Sequence, residues 1–176
     1  TGLQGYWKMG DGTNDEYPII YDQVDPTLGS ELVTNGDFDG STGWTVDSLF
    51  STANNEAIIT GDGVASSGLF YQAITGLTTS NSYLFTFNYN NVSGNSIRVN
   101  ADGTLRVVTS SVESGVYTAI LTPSSSSVNI YFYGYVDNEE VVKISNVSFK
   151  KLNGNGAMMT NMVEGNITNQ YPLTKI

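Results

Sequence analysis

The sequence predicts an all-β sandwich, and three observations point there. From Leu32 onward, turn-forming Gly, Asn, Ser and Asp recur at intervals of roughly ten residues, the spacing of short strands in a two-sheet fold. Residues 82–90 and 128–136 alternate in side-chain character with the period of two that a strand imposes. Composition agrees: 19 Gly, abundant Ser, Thr and Asn, and few Lys, Arg and Leu leave little material for helices. At 176 residues the chain suits one domain with appendages, since a single sandwich takes about 100–200 residues.

Taken in order, residues 1–31 form an acidic N-terminal arm with too many Gly, Asp and Pro for a long element. A short strand is expected at Gly5 to Met9 and an extended edge at Tyr17 to Tyr21, where Pro18 excludes a central strand. Residues 25–29 suit a turn. Trp7, Met9, Ile19, Ile20 and Tyr21 need a partner, because thirty residues cannot bury them alone. Strands are then expected at residues 32–34, 44–46, 56–60, 68–74, 82–89, 96–100, 105–109, 116–121, 128–135 and 142–150. Tyr83, Phe85, Phe87 and Tyr89 fall on one face, which makes their strand a half-buried central one. Val128, Ile130, Phe132 and Gly134 oppose Asn129, Tyr131, Tyr133 and Tyr135, so one face is core and the tyrosine face is accessible. Residues 100–104 carry Asp102-Gly103 at a hairpin tip. The tail, residues 153–176, groups Met158, Met159 and Met162 with nothing local to cover them, as in an arm that docks elsewhere.

Charge narrows the partners. Eleven carboxylates face Lys8 alone in residues 1–62, so this third carries the whole net charge of −10; the remainder balances six against six. Such a field repels phosphate backbones and anionic membrane surfaces and leaves divalent cations as better partners. Neither Cys nor His occurs, which removes disulfides, thiolate nucleophiles, imidazole bases and the zinc or copper sites built on them. No run of 18 apolar residues is present, so membrane insertion by a helix is not expected. The first residue is Thr and no signal-peptide pattern follows, as in a fragment or processed product.

The stretch Leu32-Val33-Thr34-Asn35-Gly36-Asp37-Phe38-Asp39, followed by Gly43-Trp44-Thr45, resembles the opening of carbohydrate-binding modules of the family 4/9/16/22 type. Residues 71–78, YQAITGLT, with residues 82–87, SYLFTF, are similar to that family's strand, turn and following strand, and residues 142–152 to its last strand. The resemblance covers residues 32–152 and implies a galactose-binding-like jelly roll of about 8–10 antiparallel strands, with residues 1–31 and 153–176 as extended arms. It also implies a structural calcium near the first strand. The acidic residue of the opening motif carries over to Asp39, with Asp37 beside it, whereas the aspartate expected in the last strand is Ser145. An EF-hand reading of residues 35–40 is excluded, because its closing glutamate position is Val46.

The flanks resemble a different group. Gly5-Tyr6-Trp7-Lys8-Met9-Gly10-Asp11-Gly12, Tyr17-Pro18-Ile19-Ile20-Tyr21-Asp22 and Gly156-Ala157-Met158-Met159-Thr160-Asn161-Met162 are similar to segments of tail-fibre and other structural proteins of marine bacteriophages. There the segments lie close in sequence, which implies a sandwich inserted between them.

Sugar binding needs aromatic faces to stack on a pyranose, with amides nearby for its hydroxyls. Tyr131, Tyr133, Tyr135, Asn129 and Asn88 supply those types. The same tyrosines equally suit sheet positions packed under a loop or a neighbouring subunit. No pair of carboxylates is singled out for glycoside hydrolysis, so no enzyme activity is expected. The sequence therefore points to a non-enzymatic virion structural protein, of a tail fibre or capsid-surface appendage, whose arms dock on other virion subunits or copies of itself. The alternative is a secreted or host-facing carbohydrate-binding module. Either works on a virion or outside a cell, with host surface glycans as candidate ligands and no nucleic-acid partner.

Overall fold

The computed structural model describes residues 19–20, 27–62, 66–94, 96–136, 140–153 and 157–158. Among them there is no helix. Thirteen strands run in chain order as β1 Ile19–Ile20, β2 Leu28–Glu31, β3 Thr45–Val46, β4 Phe50–Ala53, β5 Glu56–Thr60, β6 Ser66–Thr75, β7 Ser82–Asn91, β8 Ser96–Asn100, β9 Leu105–Thr109, β10 Glu113–Leu121, β11 Ser127–Val136, β12 Val141–Leu152 and β13 Ala157–Met158. Eleven of them build a jelly-roll sandwich of two antiparallel sheets, and β1 and β13 pair as a separate ribbon. One sheet has the order β10-β7-β12-β5-β4, with β2 also paired to β12, and the other has the order β3-β6-β11-β8-β9.

The alternation seen in sequence is realised in both long strands. Tyr83, Phe85 and Phe87 are buried and Tyr89 packs against the same core, while Ile130, Phe132 and Val136 enter it from the facing sheet. Phe70 and Phe132 stack at 4.9 Å, and the Phe132 ring meets Phe87 edge-on at 4.9 Å, so aromatic contacts join the two layers.

The opening turn closes one end of this core. Asn35 and Phe38 adopt the left-handed conformation, with φ of 52° and 53°. That bend swings Phe38 inward, where it is 1% exposed and meets Trp44 at 5.0 Å and Phe70 at 5.7 Å. The Asn35 side chain holds the bend: its Oδ1 accepts from the Asp39 N–H at 2.8 Å, and its Nδ2 donates to the Gly40 and Thr42 carbonyls at 3.1 Å each. The Trp44 indole N–H donates to the Asn35 carbonyl at 3.0 Å. Beneath them, buried Gln72 accepts from Thr34 N–H at 2.7 Å and donates to the Thr34 and Gly43 carbonyls at 2.8 and 3.1 Å. Gly36 has to be glycine, because a Cβ there would lie 2.0 Å from the Val147 carbonyl oxygen.

Several boundaries differ from the sequence expectation. The first sandwich strand is Leu28–Glu31 rather than residues 32–34, which instead lead into the opening turn. Pairing of Leu28 with Leu152 and Glu31 with Lys150 draws residues expected in a turn into the sheet. Phe50–Ala53 is a strand the sequence pattern did not predict, because four residues hold too few alternations to register. The chain's entry and exit lie together: Asn153 donates from its backbone to the Thr27 carbonyl at 3.1 Å and from its side chain to Thr27 Oγ1 at 2.9 Å. Beyond them, Ile19 pairs with Met158 and Ile20 with Ala157. The expected strand at residues 5–9 and the group Met159 and Met162 lie outside the described residues.

Truncating the buried ring at this end removes contacts on three sides, so Phe38→Ala is expected to lower unfolding free energy by about 3–5 kcal/mol. Asp39→Ala, on the exposed side of the same turn, is expected to change it by less than about 0.5 kcal/mol. Urea titration of both variants measures the contrast.

Candidate functional site

Alternation in β11 sends Asn129, Tyr131, Tyr133 and Tyr135 to the outer face of the five-stranded sheet, opposite the side chains it contributes to the core. Register decides what lies beside them. Tyr131 sits between Tyr71 on β6 and Asn100 on β8, Tyr133 between Leu69 and Arg98, and Tyr135 between Ser67 and Ser96. The rings form a connected platform: Tyr71 and Tyr131 lie 4.9 Å apart, and Tyr131 and Tyr133 stack at 6.2 Å and 26°. The exposed Asn129 amide donates to the Tyr131 hydroxyl at 2.9 Å.

Arg98 closes one end of this surface, its guanidinium carbon 4.3 Å from the Tyr135 ring centroid. Its Nε is buried without a hydrogen-bond partner among the described residues. Exposed Leu105 and Val107 on the edge strand β9, opposite Asn100 and Arg98, extend the apolar surface. Burial raises the Tyr133 hydroxyl pKa, and the neighbouring Tyr131 and Tyr135 add to the effect, so this hydroxyl is neutral at physiological pH. No Asp or Glu occurs in β3, β6, β8, β9 or β11. The platform's strands thus lack the carboxylate pair of glycoside hydrolysis.

Four of the five sequence-predicted sugar-binding residues, Tyr131, Tyr133, Tyr135 and Asn129, therefore come together. Asn88 does not join them. It lies on β7, opposite Val116 and Ser145, in the other sheet. Alternation assigns a residue to a face but does not say which sheet the strand joins. Tyr71, Arg98 and Asn100 complete the platform and escape a reading of the sequence, because only the inter-strand register brings them to β11.

Asp37 and Asp39 remain on the exposed side of the opening turn. No group of three or more acidic side chains able to hold a metal ion occurs among the described residues, and Asn35, which could have donated an oxygen, is spent on the turn. Calcium takes about six to eight oxygen ligands, so this donor set does not fit a tight site. The corner between first and last strands is instead closed by protein groups. Val147 N–H donates to the Gly36 carbonyl at 2.8 Å, and the Glu31 carboxylate accepts from the backbones of Leu32, Val33 and Phe149 and from the Ser148 hydroxyl.

No protein-family model matches the chain, and no curated protein matches it. Solved structures do. TmCBM61, determined in complex with β-1,4-galactotriose, has 14% identity and a TM-score of 0.53 over 69% of this chain and 98% of its own. The enzymatically active domain of tailspike protein 4 from bacteriophage CBA120 has 15% identity and a TM-score of 0.52 over 69% of this chain. The match spans 21% of that domain's length. A CBM4 structure has 20% identity and a TM-score of 0.48 over 82% of this chain and 99% of its own. At these identities the likeness is one of fold.

The Glu31 corner makes a prediction in pH. Burial opposes ionisation of its carboxyl, but the hydrogen bonds from Ser148, Phe149, Val33 and Leu32 together outweigh it and hold the pKa below the usual glutamate value. A depressed folded-state pKa gives stability that is present above the unfolded value of about 4.3 and lost as pH falls through the folded one. Glu31→Gln is expected to be less stable at neutral pH and to lose less on acidification. Denaturant unfolding at pH 7 and pH 3 tests this, and parallel losses in both proteins would contradict it.

Proposed function

We propose that this chain is a non-catalytic, glycan-binding β-sandwich whose ligand lies across the outer face of the five-stranded sheet. The observation that carries the proposal is the Tyr71, Tyr131 and Tyr133 platform, flanked by Asn129, Asn100 and Arg98. Phenol rings offer apolar faces to the C–H side of a pyranose, and the surrounding amides and guanidinium offer partners to its hydroxyls. The platform is an open sheet face, which suits a length of oligosaccharide better than an enclosed monosaccharide. With Arg98 as the only charged side chain on its strands' outer face among the described residues, it favours neutral or weakly anionic sugars. The complex of TmCBM61 with galactotriose, on the same fold, supports the reading.

The direct test is a glycan array followed by titration of the best oligosaccharide. Tyr133→Ala is expected to weaken binding at least tenfold, about 1.4 kcal/mol, with unfolding little changed. Unchanged affinity in that variant, or an array without binding, would contradict the proposal.

A second reading adds an assembly role on a virion, and the pairing of the two flanks favours it. β1 and β13 pair Ile19 with Met158 and Ile20 with Ala157, and Thr27 is bonded to Asn153, so the described parts of the two flanks meet, as an inserted module requires. A two-stranded ribbon is marginal in water by itself. A neighbouring subunit, or another copy of this chain, is the cover proposed for it. The phage tailspike fold likeness supports this role. Sedimentation is expected to show an oligomer and limited proteolysis of separated subunits to remove both flanks. A compact monomer with protected flanks would contradict it.

A further inference from the structure

The displaced Asn88 leads to a second surface. On the outer face of the six-stranded sheet, register places Ser114, Asn90, Lys143 and Ile58 in one row across β10, β7, β12 and β5. Val116, Asn88 and Ser145 stand in the next row across the first three of these strands. Glu56, Asn88, Asn90, Ser114, Lys143 and Ser145 line a depression of about 370 Å³ there. The size falls within the range of small-ligand sites, about 300–1,000 Å³.

Its construction is unusual for a solvated sheet face. The register of β12 against β7 shifts between Ser145 and Ser148, where Asn146 takes a φ of 52°, and such bulges re-aim side chains beside functional sites. On the core side of the same strands, Gly115 lies directly opposite Tyr89, and a Cβ there would fall 2.7 Å from the Tyr89 hydroxyl; glycine lets that ring lie beneath β10 and leaves Asn88 and Asn90 to face outward.

The polar groups divide into two kinds. Lys143 Nζ and Glu56 Oε2 are paired at 2.8 Å, so the depression's two charges neutralise each other. The side chains of Asn88, Asn90, Ser114 and Ser145 have no hydrogen-bond partner among the described residues. Two amides and two hydroxyls without partners, around a neutralised ion pair and beside exposed Val116, present donors and acceptors with no net charge.

We propose that this depression is a second carbohydrate site, taking one or two rings of a neutral sugar on the face of the sandwich opposite the tyrosine platform. Unlike the platform it lacks a row of stacked rings and recognises hydroxyls through amides. It shares with the proposed function the class of ligand, but its residues are separate, so the two succeed or fail independently.

Amide chemical-shift titration of the full chain with maltose, cellobiose and lactose separates the two. Shifts at Asn88, Asn90, Ser114 and Ser145 that saturate, persist in Tyr133→Ala and weaken at least tenfold in Asn90→Ala are the expected result. Asn88→Ala provides a second variant should Asn90→Ala alter the dispersion of the spectrum. Absence of shifts at these four residues with all three sugars, or their disappearance in Tyr133→Ala, overturns the second site. Shifts at Tyr131 and Tyr133 report on the platform separately, so failure of one site is distinguishable from failure of the other.

Discussion

The structure depends on a polar knot at one end of the sandwich. Asn35 and Gln72 supply side-chain amides that satisfy the backbone of the opening turn, and this lets Phe38 and Trp44 enter the core as apolar plugs. A turn buried without those amides would leave several backbone groups unpaired, each costing about 1–3 kcal/mol. The knot also joins both sheets. Gln72 belongs to β6 in the five-stranded sheet, whereas Gly36 and Glu31 bond to Val147 and Phe149 in β12 of the other. With the two layers fixed at this end, alternation in β11 must send one set of side chains to the core and the tyrosines to water.

The two outer faces then acquire different chemistry from one rule. β11 places large rings on its outer side, and β6 and β8 add Tyr71, Arg98 and Asn100 by register, giving an aromatic platform. β7 and β12 place amides, a hydroxyl and a lysine on theirs, giving a polar depression. Neither surface uses the acidic N-terminal third in bulk. Among its carboxylates, Glu31 and Glu56 are tied to β12, through Phe149 and Ser148 in one case and Lys143 in the other.

Much of the fold was legible because long strands carry many alternations. Strands β5, β8 and β9 match their expected bounds, and the core rings of β7 and β11 follow from period two alone. What was hidden depended on pairing partners. Leu28–Glu31 becomes a strand because β12 runs on past the end of β5 and offers it a place there, and its own residues, Leu-Gly-Ser-Glu, have no strand pattern. The platform was legible in part, through the tyrosines of a single strand, while Tyr71 and Arg98 required the strand order. Residue type alone groups Asn88 with those tyrosines, and sheet membership separates them. The opening motif reads both as a cation corner and as a self-bonded turn, since Asn, Asp and Gly serve metal loops and such turns alike. The Asn35 side chain is spent on the turn.

The central claim, that the outer tyrosines bind sugar, can be tested without substituting any residue. Tyrosine nitration mapped by mass spectrometry, with and without a saturating oligosaccharide, reports each ring separately. Protection of Tyr71, Tyr131 and Tyr133 by the sugar is the predicted result, with buried Tyr83 unreactive in both states. Equal nitration of those three rings while the sugar is bound at saturation would contradict it.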